Sequence, residues 1–403
     1  MANAQTLSTW TQDRLDQVQA AHRRFLAGQA GGQRAILAGA DLSGLDLGGQ
    51  DWRDADFSGC DLTGLRLDGA DLSGARLAGA SLKQASLIGC GLEGADLRGA
   101  NLDACRAIAC RADGADFREL TLPGPDGRMV CRTTRLNGAD VAGASLGRAR
   151  LAGLEASGAV FDDADLSGAR FNRSDLSSAS LRGARLTGAD LASANLKGAD
   201  LRGSDEGRAR IDMAETKDWQ TGPDPDRRPP PDTRPAEPSA EDLLKAHEKR
   251  VTGRSDTDVD LSGLDLTGAG RVAGLALTAL RATGSDLSGL DLTGAQLQGA
   301  RLSGSDLRGC ILRKADLRGS DLSNTLMTHC DLRGANLGPL TLPGDRVLPV
   351  NLTGANLRFA DLRQCNVETA RREACQMGYI RIEADRLARL GLPDDQARTA
   401  LTS

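Results

Sequence analysis

A large apolar residue returns every five positions through most of this chain, as in Ala40-Asp41-Leu42-Ser43-Gly44 and Ala70-Asp71-Leu72-Ser73-Gly74. Counting from Leu37, the phase runs through Leu42, Leu47, Trp52, Phe57, Leu62 and Leu67 to Leu102, Phe117 and Leu122, with only Ala107 and Ala112 small. Two positions before each centre stands a small or compact apolar residue, such as Ala40, Leu45, Ala55, Cys60 or Ala70. The other three positions are mostly Asp, Arg, Ser, Thr, Asn and Gly. A period of five suits neither a helix of period 3.6 nor a strand of period 2. It suits a chain that bends once per unit and turns the large residue and its small partner inward. Four bends close a square coil of about twenty residues, and stacked coils pair their backbones at about 4.8 Å. Self-similarity at a fixed period is the mark of a solenoid. Each buried Leu contributes about 1.5–3 kcal/mol, and each coil touches only its neighbours. Such a narrow, filled core leaves no room for an enclosed small-molecule pocket.

The unit Ala-(Asp/Asn)-Leu-Xaa-Xaa resembles the pentapeptide-repeat family. The resemblance implies an all-β solenoid, here two right-handed quadrilateral pentapeptide-repeat β-helices with short helical caps. Some members of that family resemble a B-DNA rod in width and charge and bind DNA gyrase in place of DNA. In several, a terminal helix mediates dimerisation.

The repeats fall in two tracts that share three landmarks in the same order. Ala21-His22-Arg23-Arg24 matches Ala246-His247-Glu248-Lys249, Asp41-Leu42-Ser43-Gly44-Leu45 matches Asp260-Leu261-Ser262-Gly263-Leu264, and Thr121-Leu122-Pro123-Gly124 matches Thr341-Leu342-Pro343-Gly344. The second landmark precedes the third by 80 residues in one copy and 81 in the other, with a phase slip near Gly270. This is a tandem duplication. The expected organisation is a capping helix in 1–34, a first β-helix over 35–216 interrupted by an irregular loop at 121–133, and a linker at 217–240. A second capping helix at 241–258, a second β-helix over 259–367 and a helical cap at 368–403 follow. Leu15, Val18, Phe25 and Leu26 are expected to line one side of the first helix. The linker holds seven of the thirteen prolines, and it is expected to stay outside any ladder as an extended spacer.

No apolar run approaches twenty residues, and the first residues carry no charged-then-apolar signal segment. A soluble, cytoplasmic protein is therefore expected, and the family resemblance implies a bacterial one. Seven of the nine cysteines, among them Cys60, Cys90, Cys310 and Cys330, stand at the small inward position and read as apolar filler. His22 and His247 occupy equivalent places in the two leading helices and suit a cap, while His329 stands alone facing outward. No nucleophile elbow, phosphate loop or clustered metal ligands appear. No enzyme activity, cofactor, metal, small-molecule substrate or membrane partner is expected.

Charge discriminates between the remaining roles. Residues 35–75 carry eight Asp against Arg53 and Arg66, so Asp41, Asp46, Asp51, Asp54, Asp56, Asp61 and Asp71 form a candidate acidic surface. Beyond it, residues 76–211 have 17 acidic and 19 basic residues, and residues 259–370 have 11 of each. The acidic positions are also spread around the tube, whereas a DNA mimic concentrates negative field on one long face. Direct nucleic-acid binding is disfavoured, because the Arg residues are diluted by Asp and lack aromatic stacking partners. The expected role is a non-catalytic protein–protein interaction scaffold or adaptor, with a gyrase- or topoisomerase-directed DNA mimic as the alternative. The openings of the repeats also resemble pentapeptide-repeat proteins associated with type VI secretion, which implies effector loading as one form of the adaptor role. Candidate contact residues are those of the two Pro-Gly loops: Pro123, Gly124, Pro125, Asp126 and Arg128 in the first, Pro343, Gly344, Asp345 and Arg346 in the second. Irregular loops on a rigid wall often hold the specific contacts. A homodimer through the C-terminal helix is a further expectation.

Overall fold

The computed structural model describes residues 10–123, 128–224, 233–256, 259–269 and 272–402. The chain forms two compact units, Met1–Arg228 and Pro229–Ser403, each with a core of its own.

One local geometry, repeated, builds both units. The residue before each centre bridges in parallel to the residue one coil further on: Asp41 to Asp61, Asp46 to Arg66, Asp51 to Asp71 and Asp56 to Arg76. Four such ladders make one coil, and between coils the centre donates forward while its neighbour donates back. Leu42 N–H donates to Asp61 O (3.0 Å), and Asp61 N–H donates to Ala40 O (2.9 Å). The corner closes when Ala40 N–H donates to Leu37 O at 2.9 Å around Gly39, whose φ is +73°. That is a type II turn, which needs a left-handed third residue and so favours Gly. The Asp or Asn before each centre has its own reason. Asp41 Oδ1 accepts from Ser43 N–H at 3.0 Å and Asp61 Oδ1 from Thr63 N–H at 3.0 Å, each satisfying a corner amide that the ladder leaves unpaired.

The centres and their small partners fill the interior: Leu42, Leu47, Phe57, Leu67, Phe161, Phe171, Leu297 and Leu352 are fully buried. Most polar atoms that enter this interior find a partner, the Ser320 hydroxyl being an exception. Cys60 Sγ donates to Leu37 O (2.9 Å) and Cys330 Sγ to Leu307 O (2.9 Å). Ser174 and Ser305 stand at the same inward position and donate to Leu151 O (2.7 Å) and Ala282 O (2.6 Å). The carbonyl of the centre one coil back accepts in each case, so thiol and hydroxyl are interchangeable fillers there.

In the first unit, helix α1 (Gln12–Leu26) starts at Thr11, whose side chain accepts from Arg14 N–H. Its Gln12 side chain donates to Asp46 O (3.1 Å) and accepts from Asp46 N–H (2.9 Å), standing in for the coil above. The buried face is Leu15, Gln19 and His22. Phe25, expected on that face, is 41% exposed, because the inward stripe advances by four and three residues and ends at His22. The ladder then opens once. Strands β1 (Leu120–Pro123) and β2 (Met129–Arg132) form an antiparallel hairpin where an irregular loop was expected, with Leu122 opposite Val130. Buried Thr134 closes the gap by bonding Leu97 O and Arg118 O and accepting from Gly99 N–H. The ladder continues past 216, as far as the bridge from Asp200 to Gln220.

In the second unit, β3 (Arg234–Pro235) pairs in parallel with β4 (Leu264–Asp265). The Pro-rich stretch therefore does contribute to a ladder, through an edge position where a proline costs no bond. Helix α2 (Ala240–Val251) lies between them in sequence and buries Leu244 and His247. The bridge from Asp265 to Asp286 spans one residue more than the usual twenty, the structural counterpart of the phase slip. A second hairpin, β5 (Leu340–Leu342) and β6 (Arg346–Leu348), leaves the wall in the same manner. The expectation that coils end at Val367 is corrected by bridges from Asn351 to Arg371, Asn356 to Gln376 and Asp361 to Arg381. Arg372 at a central position breaks the sequence period, yet Cys375, Met377, Ile380 and Ile382 remain buried in phase. The cap is shorter and starts later than expected: β7 (Arg381–Ile382), α3 (Ala384–Leu390), α4 (Asp394–Thr399) and β8 (Leu401–Thr402), which pairs with β7. Glu383, Gln396 and Thr399 side chains accept from Gln364, Met377 and Tyr379 N–H, so this cap completes the last coil.

Candidate interaction surfaces

The walls of both units are dense in charge but poor in free charge. Wherever Arg follows a bridging Asp by two residues, the guanidinium folds back onto it in a two-point pair. Arg98 Nε and Nη2 donate to Asp96 at 2.8 and 2.7 Å, and Arg202 with Asp200, Arg318 with Asp316 and Arg363 with Asp361 repeat the geometry. These pairs hold the Asp96 and Asp200 carboxyls below the usual carboxylate range, with the arginine bonds the largest cause.

Among the sequence-predicted acidic residues, Asp51 is bound in this way by Arg53 (2.9 and 2.7 Å), and its pKa falls accordingly. Asp56 has Arg34 and Arg76 at 3.6 and 3.7 Å. Asp46, Asp61 and Asp71 accept corner amides from Gly48, Thr63 and Ser73, as Asp41 does from Ser43. Asp54 sits at the left-handed corner position with φ +60°. The ladders put Asp41 with Asp61 and Asp51 with Asp71 on two different walls. The seven carboxylates are turn-forming residues dispersed around a coil rather than one surface.

The Pro-Gly residues are gathered at two hairpins. Pro123 ends β1, Arg128 precedes β2, and both are exposed; Gly124, Pro125 and Asp126 lie outside the described residues. Pro343, Gly344, Asp345 and Arg346 form the exposed tip of the second hairpin, with Gly344 and Asp345 at φ +77° and +56°. Both hairpins rest on glycine. A Cβ on Gly99 would lie 2.6 Å from Leu120 Cβ, and one on Gly319 would lie 2.6 Å from Leu340 Cβ. What sequence reasoning missed is the apolar exposure alongside these turns: Leu122, Met129 and Val130 at 42, 63 and 45%, and Val347 and Leu348 at 61 and 41%. Leu122 and Val347 keep the five-residue phase, which places them inward, so the period misplaces both where the hairpins leave the wall; only Met129, Val130 and Leu348 stand out of phase.

Two open clefts adjoin the walls. One, of about 450 Å³, lies beneath the first hairpin against Gly79, Gly99, Asn101, Arg132 and Arg135; the other, of about 230 Å³, is lined by His247, Arg281 and Arg301. Neither brings a nucleophile to a base. Among the described residues no group of three or more His, Cys, Asp or Glu side chains is placed to hold a metal ion, and no helix is long and apolar enough to cross a membrane. His22 is fully buried between Phe25 and Trp52 and bonds to Arg53 O at 2.9 Å; His247 bonds to Thr278 O at 3.1 Å. His329 stacks on Phe359, which stacks on Tyr379, at 5.3 Å each.

The pentapeptide repeats family model matches residues 35–103 and 134–205 in overlapping segments, and 276–309, 310–338 and 350–370, more than half of the chain. The chain belongs to the pentapeptide-repeat family. Among solved structures it is similar to HetL, a pentapeptide repeat protein involved in heterocyst differentiation regulation from the cyanobacterium Nostoc sp. strain PCC 7120, at 25% identity over 81% of this chain and 96% of that one (TM-score 0.25). It is similar to QnrB1, a plasmid-mediated fluoroquinolone resistance protein, at 20% identity over 47% and 90% (TM-score 0.31). A third is Rfr23 from the cyanobacterium Cyanothece 51142, at 22% identity over 29% and 86% (TM-score 0.23). No curated protein matches the chain. Pentapeptide-repeat proteins are in general structural or interaction proteins.

Proposed function

We propose that this pentapeptide-repeat protein is a non-catalytic scaffold of two right-handed quadrilateral β-helices that binds protein partners through its two hairpins. The observation that carries this reading is the pair of exposed aliphatic clusters, Leu122-Met129-Val130 and Val347-Leu348, at hairpins rooted in the same way in both duplicated units. Elsewhere the wall is largely occupied by its own turns and ion pairs. Aliphatic groups on a rigid ribbon supply contact area without a large ordering cost, and a duplicated hairpin supplies two related sites. Loading of secreted effectors would be one instance of this role.

A DNA-mimicking action on gyrase is the competing reading. The dispersal of Asp41 to Asp71 over separate walls and the pairing of Asp51 and Asp56 with arginines weigh against it. The deciding experiment compares the whole protein with a variant carrying Met129→Ser, Val130→Ser, Val347→Ser and Leu348→Ser. Affinity capture from the native host should recover a partner with the first and lose it with the second, while gyrase supercoiling stays unaffected by either. Supercoiling inhibition by both proteins alike would replace the hairpin reading with mimicry.

A further inference from the structure

Among the described residues the first hairpin is a two-stranded sheet, so β2 pairs with β1 along one edge and leaves the other outside the ladder. A strand edge of that kind is a template for another strand. Beside it lies the cleft of about 450 Å³, where Arg132 and Thr133 meet Gly79, Gly99 and Asn101 of the wall. Gly79 and Gly99 carry no side chain, and glycine is where a second backbone can approach closely.

Alternation along the paired strands puts Leu120, Leu122, Val130 and Arg132 on one face of the ribbon and Thr121, Met129 and Cys131 on the other. On the first face Leu120 is buried over Gly99, while Leu122, Val130 and Arg132 are exposed. Unlike the arginines that fold onto a bridging Asp, Arg132 has no ion pair or side-chain hydrogen bond among the described residues. Asn101 Oδ1 accepts from Asp103 N–H at 3.0 Å, which leaves Nδ2 as a donor with no partner among them, and the Thr133 hydroxyl is in the same position. The neighbouring carboxylates are already engaged. Glu155 lies 3.8 Å from Arg135, which also pairs with Asp103, and Glu119 accepts from Cys131 Sγ at 3.1 Å on the opposite face. The cleft thus offers a guanidinium, an amide and a hydroxyl beside two aliphatic side chains, a set that suits a carboxylate.

Resting on the hairpin reading above, we propose that the first hairpin binds an extended segment of its protein partner as a third strand along β2. An aliphatic side chain of that segment packs on Leu122 and Val130, and an Asp or Glu two residues away pairs with Arg132. Residues two apart on a strand lie about 7 Å apart on one face, so an added strand in register matches the spacing of Val130 and Arg132. The second hairpin reverses the arrangement. There Arg346 stands toward the tip opposite Leu342 and Leu348 at the root opposite Leu340, so the two hairpins read the two side chains in opposite order.

Selection of a displayed random-peptide library on the full-length protein carrying Val347→Ser and Leu348→Ser isolates the first hairpin. The selected peptides should carry an aliphatic and an acidic residue two positions apart. A synthetic peptide of the selected sequence, followed by fluorescence anisotropy, should bind about tenfold or more weakly once Arg132→Glu is added. Exchanging its acidic residue for Lys should restore the affinity for that variant. Val130→Ser should weaken the unexchanged peptide as well. Circular dichroism should be unchanged throughout, since both side chains are exposed. Sensitivity to Val130→Ser without sensitivity to Arg132→Glu would overturn the carboxylate site and leave the hairpin standing as a docking surface. A peptide indifferent to both would sink the two together. Selection that enriches no sequence, or none with the acidic residue at that spacing, would also overturn the proposal.

Discussion

His22 shows how one side chain ties a cap to the coil beneath it. Ala35 N–H donates to Nδ1 at 3.1 Å, which leaves the proton on Nε2 to donate to Arg53 O at 2.9 Å. Both nitrogens are engaged only in the neutral ring, and burial pulls its pKa below 6.5 despite the attraction of Asp51 and Asp54. The unfolded histidine thus takes up a proton before the folded one does. The stability this residue contributes is complete above about pH 6.5 and is lost as pH falls below it, with a slope of at most about 1.4 kcal/mol per pH unit. Urea unfolding between pH 7.5 and 5.5 should show that loss in the unmodified protein. His22→Gln should start about 1–3 kcal/mol lower, from the amide left unpaired, and lack the slope. Identical pH profiles for the two would refute the assignment. The sequence revealed this histidine's position, through its duplicate at His247, but not its bonds. Those depend on Trp52 and Arg53, which only the closing of the coil brings beneath the helix. The corner Asp residues were misread for a related reason. As isolated letters they resemble a surface charge pattern, and their bond to the amide two residues on appears only once the turn is formed.

At the scale of elements, the hairpins depend on glycine for contact as well as for conformation. Gly94 and Gly99 both hold left-handed corners, at φ +65° and +64°, yet nothing lies within 4 Å of a Cβ on Gly94 while Leu120 blocks one on Gly99. Gly94→Ala should cost about 1 kcal/mol from the backbone alone. Gly99→Ala should cost about 1–3 kcal/mol more and lift the hairpin, a difference that chemical denaturation of the two variants will read directly. Equal losses would mean that Leu120 yields freely. Cysteine labelling reports on the same element. Cys131 on β2 is exposed, and its thiol, raised by the neighbouring Glu119 carboxylate, still meets solvent. The other eight are buried, with burial pushing Cys60 up to about 11 and Cys375 up to about 12. One thiol per folded chain should react rapidly with a maleimide, and Cys131→Ser should abolish that phase; a second rapid thiol would contradict the inward placement of the rest. The five-residue period made the coils legible down to their inward cysteines. Where a unit departs from the period, as at Arg372 or Met129-Val130-Cys131, sequence reading ended the coil too early or read a paired hairpin as a loop, because cross-chain pairing and not periodicity decides those segments.

Over the whole molecule, a solenoid is held by neighbour contacts, so its cooperativity extends only as far as its core is continuous. Here there are two cores, one from Leu15 to Leu201 and another from Ala240 to Leu390. The chain carries a natural probe of the difference: Trp52 lies inside the first core and Trp10 and Trp219 pack against it, so all three tryptophans report on the first unit. Far-ultraviolet circular dichroism reports on both. Leu332→Ala, at a fully buried centre of the second unit, should cost about 2–5 kcal/mol. It should shift part of the dichroism transition to lower urea while leaving the tryptophan-detected midpoint in place. Leu87→Ala, at the corresponding depth of the first unit, should move the tryptophan midpoint itself. If Leu332→Ala shifts the fluorescence transition by as much as Leu87→Ala does, the two cores unfold as one, and the duplication has produced a single cooperative body instead of two modules that keep their own stability.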